Sequence, residues 1–140
     1  MKSNELNLMV GDWVIGESGN YEQIAGIIGR AVYTKQCSIL ISLDWQSSSI
    51  QPIPLSPEVM EKIESISKNE NRGTRYGFLD GYYNIDRDTG LVAIFEDDGL
   101  LYIYTYEYSH EQFQLVSTFE HLHQLQQLIR LFTNKEIEVK

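Results

Sequence analysis

Hydrophobic and polar positions along this chain alternate with two different periods, and the changes of period mark its elements. Trp13-Val14-Ile15, the stretch from Tyr21 to Tyr33 and that from Cys37 to Leu43 are rich in β-branched and aromatic residues. Gly16, Gly19-Asn20 and Lys35-Gln36 separate them, so the pattern predicts strands with turns between. A short extended piece follows around Ile50 to Leu55. Tyr21 to Tyr33 is too long for an ordinary strand, and Gly26 and Gly29 predict a bend or bulge where the sheet curls on itself. Residues 1–55 therefore read as a small, strongly curved antiparallel β-barrel-like unit.

The period then lengthens. Pro52 and Pro54 enforce an extended entry, Ser56 is a good N-cap, Pro57 suits the first helical position and Glu58 meets the positive end of the helix dipole. Val59, Ile63 and Ile66, with Met60 alongside, predict a helix from Pro57 to about Ser67. Lys68 to Gly73 has the composition of an exposed loop. Tyr82 to Ile85, Leu91 to Phe95 and Leu100 to Tyr108, joined by the turn signals Asp88-Thr89-Gly90 and Asp97-Asp98-Gly99, predict a three-stranded meander. A further strand is expected at Phe113 to Ser117. The last helix is expected from Phe119 to Phe132, burying Leu122, Leu125, Leu128, Ile129 and Phe132 and exposing Gln126 and Gln127. Asn134 stands where a left-handed residue ends such a helix. The expected fold is α+β: the barrel-like unit of residues 1–55, then residues 56–140 as linking helix, β-meander and C-terminal helix, together one compact domain.

Charge narrows the partners. The chain has 140 residues, and 20 acidic against 11 basic residues leave a net charge of −9. Nucleic-acid binding draws most of its affinity from clustered Lys and Arg, and here these are scattered, which argues against it. Cys37 is the only cysteine, so no intramolecular disulfide can form, and its apolar setting reads as a buried, inert thiol. Met1 to Glu5 lacks an apolar signal core and no run of about 18 apolar residues occurs, so a cytoplasmic protein without a membrane span is expected.

Candidate chemistry is sparse. His121 and His123 on an ideal helix would point about 200° apart, which argues against a zinc pair, and no metal or cofactor is expected. Asp86 to Gly90 with Asp97 echoes a calcium loop, but glycine falls at the fifth position rather than the sixth, so a β-turn is the better reading. Glu96, Asp97 and Asp98 read as a solvated hairpin tip. No catalytic residue can be assigned, since no Ser-His-Asp, Cys-His or phosphate-binding arrangement can be assembled. His123 and Gln124 are the candidate functional polar residues, with a role in hydrogen-bonding neighbouring backbone as the alternative. The best candidate partner-binding surface is aromatic: alternation places Tyr102, Tyr104, Tyr106 and Tyr108 on one face of a strand and Leu101, Ile103 and Thr105 on the other. Either neighbouring strands half-cover the tyrosines, or these form a platform for a protein partner or a second copy of the chain.

Three motifs carry a resemblance. Leu8 to Val14 contains Gly11-Asp12-Trp13-Val14; Pro52-Ile53-Pro54-Leu55-Ser56 leads into a helix; and Leu122-His123-Gln124-Leu125-Gln126-Gln127-Leu128 is followed by Phe132-Thr133-Asn134-Lys135-Glu136-Ile137. In this order they resemble a family of small proteins of Bacteroidetes chromosomes, phages and mobile elements. The family pattern has Asn, Gly and Glu where this chain has Gln127, Asn134 and Lys135, and a Trp and a Gly-Phe ending that the helix after Pro57 lacks. The Gly-Asp-Trp-Val opening also looks like the first strand of a Tudor- or KOW-type barrel. The resemblance brings no activity with it; the leading reading of the chain is a non-enzymatic interaction module, an accessory protein of a phage or mobile element. The alternatives are a nucleic-acid-associated accessory protein, an acidic nucleic-acid mimic, and an enzyme with a site around His123, Glu120 and the tyrosine face.

Overall fold

The computed structural model describes residues 8–29, 31–36, 41–42, 50–69, 82–86, 88–107 and 112–139. Cys37, Tyr108 and His110 lie outside them, as do residues 70–73 of the expected loop. The chain divides into two compact units, residues 1–54 with 121–127 and residues 55–120 with 128–140.

In the first unit, β1 (Trp13–Ile15), β2 (Tyr21–Ile28), β3 (Ala31–Thr34), β4 (Ile41–Ser42) and β5 (Gln51–Pro52) form an antiparallel sheet of order β4-β3-β2-β1-β5. Among the described residues no pairing joins β4 to β5, so no closed barrel is found. The long stretch from Tyr21 is a hairpin: Ile28 faces Ala31, and Gly29 takes a φ of 59° in the connection. The expected bulge falls between Ile24 and Gly26, where a Cβ on Gly26 would collide with the Tyr33 ring. Val14, Ile24, Val32 and Ile50 are fully buried and, with Leu8, make this unit's core.

The second unit holds α1 (Pro57–Glu61), β6 (Ser67–Asn69), β7 (Tyr82–Asp86), β8 (Leu91–Phe95), β9 (Leu101–Glu107) and β10 (Gln112–Phe119), with sheet order β10-β9-β8-β7-β6. The start of α1 is as expected: Ser56 Oγ accepts the Val59 N–H at 3.2 Å and Pro57 leads the helix. Its end is not. The helix stops at Glu61 because Ile63 bridges to Val139 and the Glu64 N–H donates to the Glu138 carbonyl, and Ser67 to Asn69 then pair with β7 as a strand. Val59, Met60, Ile63 and Ile66 are nevertheless all buried. The apolar spacing identified the inward side chains but not the backbone that carries them.

The meander is present in register, with Ala93 opposite Ile103 and Ile94 opposite Tyr102. The C-terminal helix α2 (Leu122–Thr133) begins three residues later than expected, because Phe119 ends β10 opposite Leu101. Leu122, Leu125 and Ile129 are buried, whereas Leu128 is half-buried and Phe132 is exposed. Asn134 ends the helix with a φ of 57° and donates its N–H to the Arg130 carbonyl.

Leu125 is fully buried while Leu131, six residues on, is 80% exposed. Leu125→Ala should therefore cost about 2 to 5 kcal/mol in urea unfolding and Leu131→Ala under about 0.5 kcal/mol. Equal midpoints for the two variants would contradict this assignment of the helix face.

Candidate functional site

The segment before β1 turns sharply. The Asp12 N–H donates to the Met9 carbonyl, and Gly11 supplies the positive φ, 94°, at the third position of this turn. The Gly11 N–H donates to the Ile24 carbonyl and the Asp12 carbonyl accepts from the Ile24 N–H, so two residues face one in the manner of a β-bulge. Asp12 is wholly buried, and its Oδ2 accepts from the Met9 N–H at 2.8 Å. Glycine and aspartate before Trp13 are thus demanded by backbone geometry.

The helix motif completes this turn. Gln126 is 1% exposed, contrary to the sequence expectation. Its Oε1 accepts the Trp13 N–H at 2.8 Å and its Nε2 donates to the Gly11 carbonyl at 3.1 Å. Gln127 Nε2 donates to Asp12 Oδ2 at 2.9 Å, and from β2 Gln23 Nε2 also donates to Gly11 O, at 2.9 Å. Two motifs 113 residues apart therefore bind each other through side-chain amides. The signal was present in the helical wheel: at about 100° per residue Gln126 lies only about 40° from Leu122 and about 60° from Ile129, inside the apolar arc. Its polar identity hid its position.

Gln124 caps the helix. Its Oε1 accepts the His121 N–H at 3.0 Å, the N3 half of a capping box, and its own N–H donates to the His121 backbone carbonyl. His121 itself is extended, bridged to Pro54. The 100° step between helical residues therefore does not apply to it, and the two imidazoles, expected to diverge, stack with centroids 5.8 Å apart and planes 11° apart. His123 is 4% exposed and its Nδ1 has no hydrogen-bond partner. Burial and then the neighbouring His121 lower its pKa from 6.5 to about 4. Among the described residues no three His, Cys, Asp or Glu side chains converge as a metal site.

The tyrosine face belongs to the second unit. Leu101 and Ile103 on the opposite face are fully buried, whereas Tyr102 and Tyr104 are half-buried. The backbone of Tyr106 continues β9 opposite Phe113, but its side chain, like Tyr108, is outside the described set. Tyr104 packs edge-on against Phe113, with ring centroids 6.5 Å apart. Its register partner Leu115, on the end strand β10, is 52% exposed. Tyr102 donates its hydroxyl to Asp98 Oδ2 at 2.6 Å, and Asp98 Oδ1 accepts the Leu100 N–H. Those bonds, the Tyr102 hydroxyl first, hold the Asp98 carboxyl below its ordinary pKa. At the other turn Asp86 Oδ2 accepts from both the N–H and the hydroxyl of Thr89, so this carboxylate too serves its turn.

No protein-family model, curated protein or solved structure matches this chain. Among the described residues no helix is long and apolar enough to cross a membrane.

Two outcomes follow from this geometry. Gln126→Ala strips the Trp13 N–H of its partner while the Gly11 carbonyl keeps the Gln23 amide, so with one buried polar group left unsatisfied the loss should be about 1 to 3 kcal/mol. Hydrogen exchange at the Trp13 amide should accelerate in the same variant. The second concerns pH. The unfolded chain protonates His123 near 6.5 and the folded chain only near 4, so stability is complete above 6.5 and declines as pH falls between these values. At about 1.4 kcal/mol per tenfold change in proton affinity, the decline attributable to His123 is about 3 kcal/mol. Unfolding measured against pH for wild type and His123→Phe should converge toward pH 4 by that amount, and parallel curves would refute it.

Proposed function

We propose that the protein is a non-enzymatic interaction module, acting in the cytoplasm as an accessory protein of a phage or mobile element, and that the tyrosine face of its second sheet is the contact surface. The observation that carries this reading is the apolar cluster of Tyr104, Phe113 and Leu115, in which Leu115 remains 52% exposed. Tyrosine and leucine on a rigid sheet offer large contact area at small entropic cost, the composition that interfaces favour. The motif residues support the same conclusion from the other side. Asp12, Gln124, Gln126 and Gln127 are engaged in hydrogen bonds to backbone and to each other, and buried His123 packs on His121, so these groups maintain structure. The mobile-element setting comes from the family that the three motifs resemble. In the first unit, the return of β5 beside β1 supports an open relative of the small Tudor-like barrels.

Leu115→Glu places a charge on the exposed part of the cluster and should leave the melting temperature within a few degrees, as surface changes do. It should weaken self-association or capture of a protein partner from host lysate by more than about 1 kcal/mol, and Tyr104→Ala should do the same. An unchanged capture profile for both variants would overturn the assignment. Salt-sensitive retention of nucleic acid in place of protein would favour the nucleic-acid accessory reading, against the charge of −9.

A further inference from the structure

In the first unit, an open cleft of about 490 Å³ is lined by Glu17, Ser18, Asn20, Tyr21, Glu22 and Gln36. Its inner wall is unusual. Glu22 lies on β2 in phase with Ile24 and is only 6% exposed, so a carboxylate occupies a position that strand alternation assigns to the core. Gly16 makes this arrangement fit. A Cβ there would overlap the Glu22 carboxylate, and Gly16 has no positive φ to explain a glycine otherwise. The Thr34 hydroxyl donates to Glu22 Oε1 at 2.5 Å, and among the described residues it is the only hydrogen-bond donor to that carboxylate. Removing a carboxylate from water is costly unless charge or several donors compensate, and one hydroxyl is little compensation.

We propose that this cleft binds an organic cation, the alkylammonium or guanidinium head of a basic side chain or amine, with Glu22 as its counter-ion at the wall and Glu17 at the rim. The chemistry of the lining fits such a group. Two carboxylates supply the charge, Asn20 carries an acceptor oxygen for its N–H groups, the Ser18 and Gln36 oxygens, which accept the Asn20 and Gln23 N–H groups, have a second lone pair to offer, and the Tyr21 ring lies in the same wall. A bare divalent ion fits less well, because two carboxylates fall short of the oxygen-rich shells that such ions require. The site is separate from the tyrosine face and does not depend on that reading.

The test is a backbone-amide NMR titration of the full chain with butylammonium chloride and butylguanidinium chloride, against sodium chloride at matched ionic strength. Saturable shifts are expected at Ser18, Asn20, Tyr21, Glu22 and Gln36 with the organic cations only. Glu22→Gln keeps an oxygen for the Thr34 hydroxyl and should weaken binding about tenfold, the scale of one charge-assisted hydrogen bond. Glu17→Gln changes an exposed residue, so the fold is retained, and it should weaken binding several-fold less than Glu22→Gln. A short peptide carrying Lys or Arg that binds more tightly than the free cations identifies a protein segment as the source; equal affinity identifies a free amine. Shifts reproduced by sodium chloride, absent altogether, or untouched by both variants would overturn the proposal.

Discussion

The Gln126 carboxamide is the interaction on which the first unit depends. β1 has partners on both sides, β2 on one and β5 on the other, but β5 ends at Pro52, opposite Val14. There the chain leaves the sheet, with the Ile53 carbonyl accepting the Leu122 N–H instead. The Trp13 N–H is left without a strand partner on that side, and buried backbone groups rarely go unpaired. Gln126 meets the need from a helix, acting as one more residue of sheet edge, with an acceptor for Trp13 and a donor for Gly11. Only a side chain with both groups on one planar amide can do this, which excludes Leu, Glu and Lys at position 126.

This arrangement accounts for what the sequence disclosed and what it concealed. The strands Leu91 to Phe95 and Leu101 to Glu107 were legible because the first is an unbroken apolar run and the second alternates tyrosine with Leu101, Ile103 and Thr105, and the turns at Gly90 and Gly99 carry their own signal in positive φ, 71° and 82°. Ser56-Pro57 announced a helix start because capping is local. The end of α1 was hidden because a nonlocal bridge between Ile63 and Val139 terminates it, and no local residue records that contact. Gln126 was hidden for a different reason: polarity ordinarily goes with exposure, whereas a polar residue inside an apolar arc signals a buried partner. His121 and His123 failed through a boundary displaced by a few residues, which turned a helical pair into an extended residue beside a helical one.

The second sheet poses the opposite problem, a surplus of apolar side chains over places to put them. Leu91, Ala93, Leu101 and Ile103, on one face, are fully buried. The other face carries Val92, Ile94, Tyr102 and Tyr104, and burial falls along it toward β10, from 7% exposure at Val92 to 52% at Leu115. β10 ends the sheet order, and its ladder is interrupted between Leu115 and Ser117. A bulge on such a strand hinders the addition of a further strand, so contact through the side-chain face is the more natural use of this surface.

Two buried carboxylates in the first unit show how the same chemistry can serve different ends. Asp12 accepts from the Met9 N–H and the Gln127 amide, donors from its own turn and from the helix, so its charge is spread over bonds that fix the chain. Glu22, which is 6% exposed, has the Thr34 hydroxyl and faces a cleft. A carboxylate has room for about four hydrogen bonds. Asp12 accepts two of these on Oδ2, both from groups that hold architecture, whereas Glu22 accepts one, from the Thr34 hydroxyl, beside open space. Gly16 lets that carboxylate sit where a larger residue would expel it. In a chain whose net charge of −9 already includes Glu22, a carboxylate kept at an inward position is a burden on folding, and a cationic ligand is what would relieve it.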